Sequence, residues 1–237
     1  MKTEKAIIYD DNCPLCHWYT GAFVKADLLS QQGRISFSEL AKTDLAAQLD
    51  LHRSRHEIPL VDLQGGKTMY GLDSLIYLLN PRFPFIKRMM AISPVNYAVR
   101  KLYKLISYNR GVMAPSPPRA RLYDCTPEFN WKYRLLFIGI AGGLGLSMLN
   151  LSLPHSIFLS FILPVLGGLL LLGTHFKAQH YITYLGHLAV LAFLTGSICL
   201  LGWFIPSLFP LSGLLAVVFF GWQYARRFQI LKLHHEN

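Results

Sequence analysis

The stretch YDDNCPLCHW, residues 9–18, decides how the N-terminal part of this chain folds. KAIIY at 5–9 leads into it and predicts a short β-strand, being rich in β-branched residues. Asp10 to Asn12 supply turn and helix-capping chemistry. Pro14 suits the first turn of a helix, where its missing N–H costs nothing. Cys13 and Cys16 therefore fall at a strand-to-helix junction, one helical turn apart. Two cysteines so placed are a redox pair, two ligands of a metal, or two core thiols.

Working outward, Phe23, Val24, Leu28 and Leu29 extend the apolar face of that helix, and Gly33 is expected to stop it. Residues 34–38 predict a second strand, 43–51 a short helix and 58–63 a third strand. Gln64-Gly65-Gly66 turns the chain into a fourth strand at 67–70. A closing helix at 72–79 ends at Asn80-Pro81. The order is β-α-β-α-β-β-α. Two βαβ-type connections and a hairpin predict a small mixed sheet with helices on both faces.

That order resembles a thioredoxin or glutaredoxin domain, with the CxxC where that fold carries it. Thioredoxin-like domains begin the strand beside the CxxC with a cis-proline, which implies a cis bond between Ile58 and Pro59. Three segments, YDDNCPLC, IPLVDLQGGKTMYGLDSLIYLL and LYKLISYNRG, resemble the thiol-disulfide oxidoreductase DCC family. That family is named for an Asp and two Cys in a D-x-x-C-x-x-C motif, matched here by Asp10, Cys13 and Cys16. The resemblance covers residues 5–111 and departs from the common pattern at Asp11, where many members have Gly.

A helix N-terminus presents unpaired N–H groups and about half a positive charge, which stabilise a thiolate. Cys13 is the expected exposed nucleophile and Cys16 the resolving thiol. Asp10 is a helix cap or a carrier of the resolving thiol's proton. His17 reads as a surface residue. Ile58 and Pro59 are expected to offer backbone to an extended substrate. The glutaredoxin likeness implies that Asp73 and Ser74, at the start of the last helix, hold the charged end of glutathione; read from the residues alone they are ordinary helix-start residues. The substrate is a protein or a low-molecular-weight thiol or disulfide. Glutathione is a candidate co-substrate, and no cofactor beyond the Cys13–Cys16 disulfide is expected. A closed zinc site usually needs four ligands, and no second CxxC exists. No metal is therefore expected. A non-catalytic adaptor with a partner-binding head is the alternative from another class.

Composition sets the context. The chain has 237 residues, 52% hydrophobic and 15% charged, with a net charge of +10. Soluble domains average roughly 25% charged residues, so part of this chain is expected to leave water. Residues 1–80 carry a net charge of −2, residues 81–134 +9 and residues 135–237 +3. The basic stretch abuts apolar sequence, so anionic lipid headgroups are the expected partner and nucleic acid is not. Its RKLYKLISYNR segment at 100–110 predicts an amphipathic helix lying on the inner leaflet or packing on the head. APSPPRAR at 114–121 reads as an extended linker, followed by Cys125.

Residues 135–151, 157–176, 182–203 and 208–224 each approach the ~20 apolar residues of a bilayer crossing. Glycines 139, 142, 143 and 145 permit close helix contact in the first of these. Lys and Arg fall in alternate loops, which places both termini in the cytoplasm, as in a bacterial inner membrane. The absence of a signal-peptide pattern is read the same way. His187 reads as an interhelical hydrogen-bonding residue and Cys199 as packing. The expected organisation is a redox domain at 1–80, a basic neck at 81–132 and an all-α four-helix membrane domain at 133–237. A second membrane protein is a further candidate partner.

Overall fold

The computed structural model describes residues 5–40, 43–118, 125–154, 162–175, 177–205 and 209–236. The chain divides into two compact units, Met1–Phe129 and Asn130–Asn237.

The first unit is built on a four-stranded sheet in the order β2-β1-β3-β4. Strand β1 is Lys5–Tyr9, β2 Arg34–Ser36, β3 Pro59–Asp62 and β4 Met69–Tyr70. β1 and β2 are parallel, with Ile8 opposite Ile35. β3 runs antiparallel to β1, with Ile7 opposite Leu60, and β4 antiparallel to β3. Only one of the two expected parallel crossovers is therefore present. The connection from β2 to β3 starts and ends at the same end of the sheet, so the second connection reverses the strand direction. That geometry brings Ile58 beside the end of β1, and hence beside the CxxC turn.

Alternation along the strands separates two cores. Ile7, Ile58 and Leu60 pack with Leu29 and Leu78, against Phe23 and Val24 of helix α1 (Pro14–Lys25) and Leu75 of α4 (Leu72–Leu79). Ile8 and Val61 pack on the other face with Phe37 and Leu40 of α2 (Phe37–Leu40) and with Cys125. Each fully buried aliphatic side chain contributes about 1.5–3 kcal/mol. The expected helix at 43–51 is instead a 3₁₀ turn, Asp44–Gln48, followed by α3 (Leu51–Ser54).

Helix α1 ends earlier than its apolar pattern suggests. Asp27 adopts φ 55°, the Leu28 N–H donates to the Phe23 carbonyl and the Asp27 N–H to that of Val24. These two bonds form a Schellman closure, with Asp where Gly is usual. Gly71, at φ 64°, makes the turn from β4 into α4 and donates its N–H to the Ile58 carbonyl at 2.8 Å.

No peptide bond among the described residues is cis, so the expected cis Ile58–Pro59 bond is trans. Pro59 occupies the first position of β3, where a strand tolerates a residue without a donor.

The basic stretch forms α5 (Phe85–Met90) and α6 (Ser93–Met113), both within the first unit. α6 turns a polar stripe toward the sheet end. Arg100 pairs with Asp73 at 2.6 Å, Tyr103 bonds Ile58, Ser107 donates to the His56 carbonyl, and Arg110 reaches Asp10. Tyr97, Leu102 and Ile106 of the same helix remain exposed.

The second unit holds α7 (Trp131–Ser152), α8 (Leu163–Gly173), α9 (Ala178–Phe204) and α10 (Phe209–Glu236). Two of these, α7 and α9, are long and apolar enough to cross a membrane. They cover the first and third expected spans. The 11 residues of α8 rise only about 16 Å, and residues 157–161 of that expected span lie outside the described ones. α10 has 28 residues, but Gln223, Arg226 and Arg227 cut short its apolar part. Among the four glycines of the first span, only Gly145 meets a neighbouring backbone at close range. A Cβ there would lie 2.4 Å from the Ala192 carbonyl carbon. His187 joins α9 to α10 through Arg227, with Nδ1 and Nη1 3.2 Å apart. Cys199 packs with Leu149 and Ala216.

Candidate active site

Cys13 is itself the N-cap of α1. Its Sγ accepts the Cys16 N–H at 3.4 Å, and Pro14 occupies the first turn. Neither aspartate caps this helix. The Asp10 carbonyl accepts the Cys13 N–H at 3.2 Å, and its carboxylate accepts the Asn12 N–H at 3.0 Å, so Asp10 shapes the turn before the helix. Asp11 accepts from the Ser38 hydroxyl at 2.7 Å. His17 is exposed, as expected, and its carbonyl accepts from Arg34.

The expectation of an exposed Cys13 is not met. Cys13 is 6% and Cys16 3% accessible, and neither forms a disulfide. The segment after α6 approaches the turn, with Asn12 Nδ2 donating to the Pro117 carbonyl at 3.1 Å.

A guanidinium stands over the pair. Arg110 Nη2 lies 3.5 Å from Asp10 Oδ2, with the two side chains only 11% and 10% accessible. Arg110 also donates to the Cys125 carbonyl. Cys13 is lowered to a pKa of about 7, first by the hydrogen bond from Cys16, then by Arg110, while burial and Asp10 oppose the shift. Cys16 is held well above the ordinary thiol range by its hydrogen bond to Cys13 and by burial. Burial likewise raises Tyr19, and raises Tyr103 to about 12. The site thus presents one readily ionised sulfur beside one protonated sulfur.

The other expected site residues are drawn to the same end of the sheet but are already engaged. The Ile58 N–H donates to the Tyr103 hydroxyl at 3.1 Å. The Ile58 carbonyl accepts from the Gly71 N–H at 2.8 Å and the Ser74 hydroxyl at 3.1 Å. Pro59 is buried in the sheet. Asp73 is held by Arg100. Ile58 therefore has no free backbone group with which to pair an extended peptide. Among the described residues, no group of three or more His, Cys, Asp or Glu is placed to hold a metal ion.

The sequence reading missed Arg110, Tyr19 and Tyr103. The available signal is the spacing of Asn96, Arg100, Tyr103, Ser107 and Arg110, which puts all five on one helical face. No family model, curated protein or solved structure matches this chain.

Proposed function

We propose that this chain is a membrane-anchored thiol-disulfide oxidoreductase of the DCC kind, with a thioredoxin-like head. The observation that carries the reading is the unequal pair at the mouth of α1. Cys13 accepts the Cys16 N–H and ionises near pH 7, while Cys16 keeps its proton. The sheet order, the one parallel pair and the position of the CxxC after β1 support the thioredoxin-like assignment.

In the cycle, the Cys13 thiolate attacks a disulfide and forms a mixed disulfide. Cys16 then attacks Cys13 Sγ, closing the intramolecular disulfide and releasing the second thiol. Arg110 stabilises the Cys13 thiolate electrostatically. Asp10 acts as a positioning residue by holding Arg110 and the turn. Release of Cys16's proton is the step that makes it a nucleophile.

The second unit anchors this head in the bilayer. The apolar lengths of α7 and α9 support membrane insertion. Four spans with both termini cytoplasmic is our reading of the alternating basic loops. Exposed Phe83, Phe85, Leu102 and Ile106, set among Arg82, Lys87, Arg88 and Lys101, support contact with anionic headgroups.

The test is turnover of a model disulfide by the purified full chain with a chemical dithiol as reductant. Activity that disappears in Cys13→Ser supports the proposal. Equal inactivity of wild type and Cys13→Ser rejects it in favour of a partner-binding head.

A further inference from the structure

Helix α1 carries a glycine that its packing does not explain. Gly21 lies inside Pro14–Lys25, where glycine is unfavourable relative to alanine. Its φ is not positive, and a Cβ built on it meets nothing within 4 Å. Gly21 lines instead an open cleft of about 470 Å³, within the roughly 300–1,000 Å³ of small-ligand sites.

The charge lining the cleft has one sign. Trp18, Gly21 and Lys25 follow at helical spacing along α1, while Gln31 and Arg34 come from the chain leading into β2. Lys25 and Arg34 belong to the lining, but no Asp or Glu does. Trp18 is 72% exposed. Arg34 is fixed in place. Its Nε donates to Thr20 Oγ1 at 2.9 Å and its Nη2 to the His17 carbonyl at 3.0 Å, and its guanidinium lies 4.1 Å from the centre of the Tyr9 ring. Nη1 has no acceptor among the described residues. Arg53, Arg100 and Arg110 each pair with a carboxylate, whereas Arg34 pairs with none among the described residues.

We propose that this cleft binds a small ligand joining a planar ring to a phosphate, of the mononucleotide kind. The ring lies over Gly21 beside Trp18, where the indole offers a stacking face and the missing side chain leaves room. The phosphate is held by Lys25 and the free edge of Arg34. Their two positive charges match the roughly −1.5 to −2 of a phosphomonoester near pH 7. Neither Cys13 nor Cys16 lines the cleft, so binding there requires no thiol exchange.

The experiment is equilibrium dialysis of the full chain in detergent. The probes are adenosine monophosphate, adenosine (ring without phosphate) and inorganic phosphate (phosphate without ring). The monophosphate is expected to bind at least about tenfold more tightly than either fragment. Gly21→Leu places a side chain on the floor of the cleft and should weaken monophosphate binding about tenfold or more without lowering the melting temperature. Lys25→Glu should weaken it about tenfold and leave adenosine binding unchanged. Should Gly21→Leu lower the melting temperature, Lys25→Glu decides alone. Monophosphate binding no tighter than that of the fragments, or unweakened in either stable variant, overturns the proposal.

Discussion

Arg110 Nη2 and Asp10 Oδ2 lie 3.5 Å apart across 100 residues of sequence, both nearly buried, beside the Cys13–Cys16 turn. A buried guanidinium is costly unless it is paired and hydrogen-bonded. Here Asp10 and the Cys125 carbonyl supply the partners, and the Cys13 thiolate adds a second negative charge. Local structure, packing and the charge on Cys13 are thus tied in part to one residue of α6.

Alkylation should expose the inequality of the thiols. The rate at Cys13 is expected to rise through a midpoint near pH 7, with Cys16 unreactive across that range. Mass spectrometry after timed iodoacetamide exposure reads both sites. The linked stability has a defined sign. Because folding lowers the Cys13 pKa, the thiolate's contribution is full above the ordinary value of 9.0 and is lost as pH falls through about 7.

The two charges flanking Cys13 should act in opposite directions. Arg110→Gln is expected to move the alkylation midpoint up by about 1 unit, and Asp10→Asn to move it down by a smaller amount. Arg110→Lys should restore part of the shift. A purely structural role would lower the melting temperature in both variants without separating their pH profiles.

Helix packing in the second unit can be tested at one glycine. Gly145→Leu drives a side chain into the backbone at Ala192 and Phe193 and should destabilise by about 1–3 kcal/mol. Gly139→Ala and Gly143→Ala meet nothing within 4 Å and should be tolerated. Thermal unfolding in detergent distinguishes the three.

Asp27 offers the reverse case. It is exposed and holds a left-handed conformation at the end of α1. Asp27→Gly removes the strain of an L-residue there and should stabilise by about 1 kcal/mol. Chemical denaturation of the full chain reads the change.

The strand at Lys5–Tyr9 and the helix at Leu72–Leu79 are legible in the sequence because apolar alternation and Gly or Pro boundaries agree. The end of α1 is not, because Asp27 closes it without the glycine that marks most such ends. The direction of β3 depends on tertiary pairing with β1, which no local pattern reports. In the candidate site, the spacing of Cys13 and Cys16 was readable, but their burial was not. Arg110 was hidden for a physical reason. α6 is amphipathic, and its basic residues read as a face for headgroups, whereas its polar stripe packs against the sheet end. Only the fold reveals that a cation so distant in sequence adds to the hydrogen bond from Cys16 in lowering the Cys13 pKa.

The most direct test of the central claim is trapping with Cys16→Ser. Without the resolving sulfur, the mixed disulfide at Cys13 cannot be released by internal attack. The full chain carrying this substitution, exposed to a disulfide probe at pH 7.5, is analysed by intact mass and peptide mapping. The account predicts one stoichiometric, dithiothreitol-reversible adduct on Cys13, absent from Cys13→Ser/Cys16→Ser. An unmodified Cys13, or equal labelling of the double variant, would contradict it.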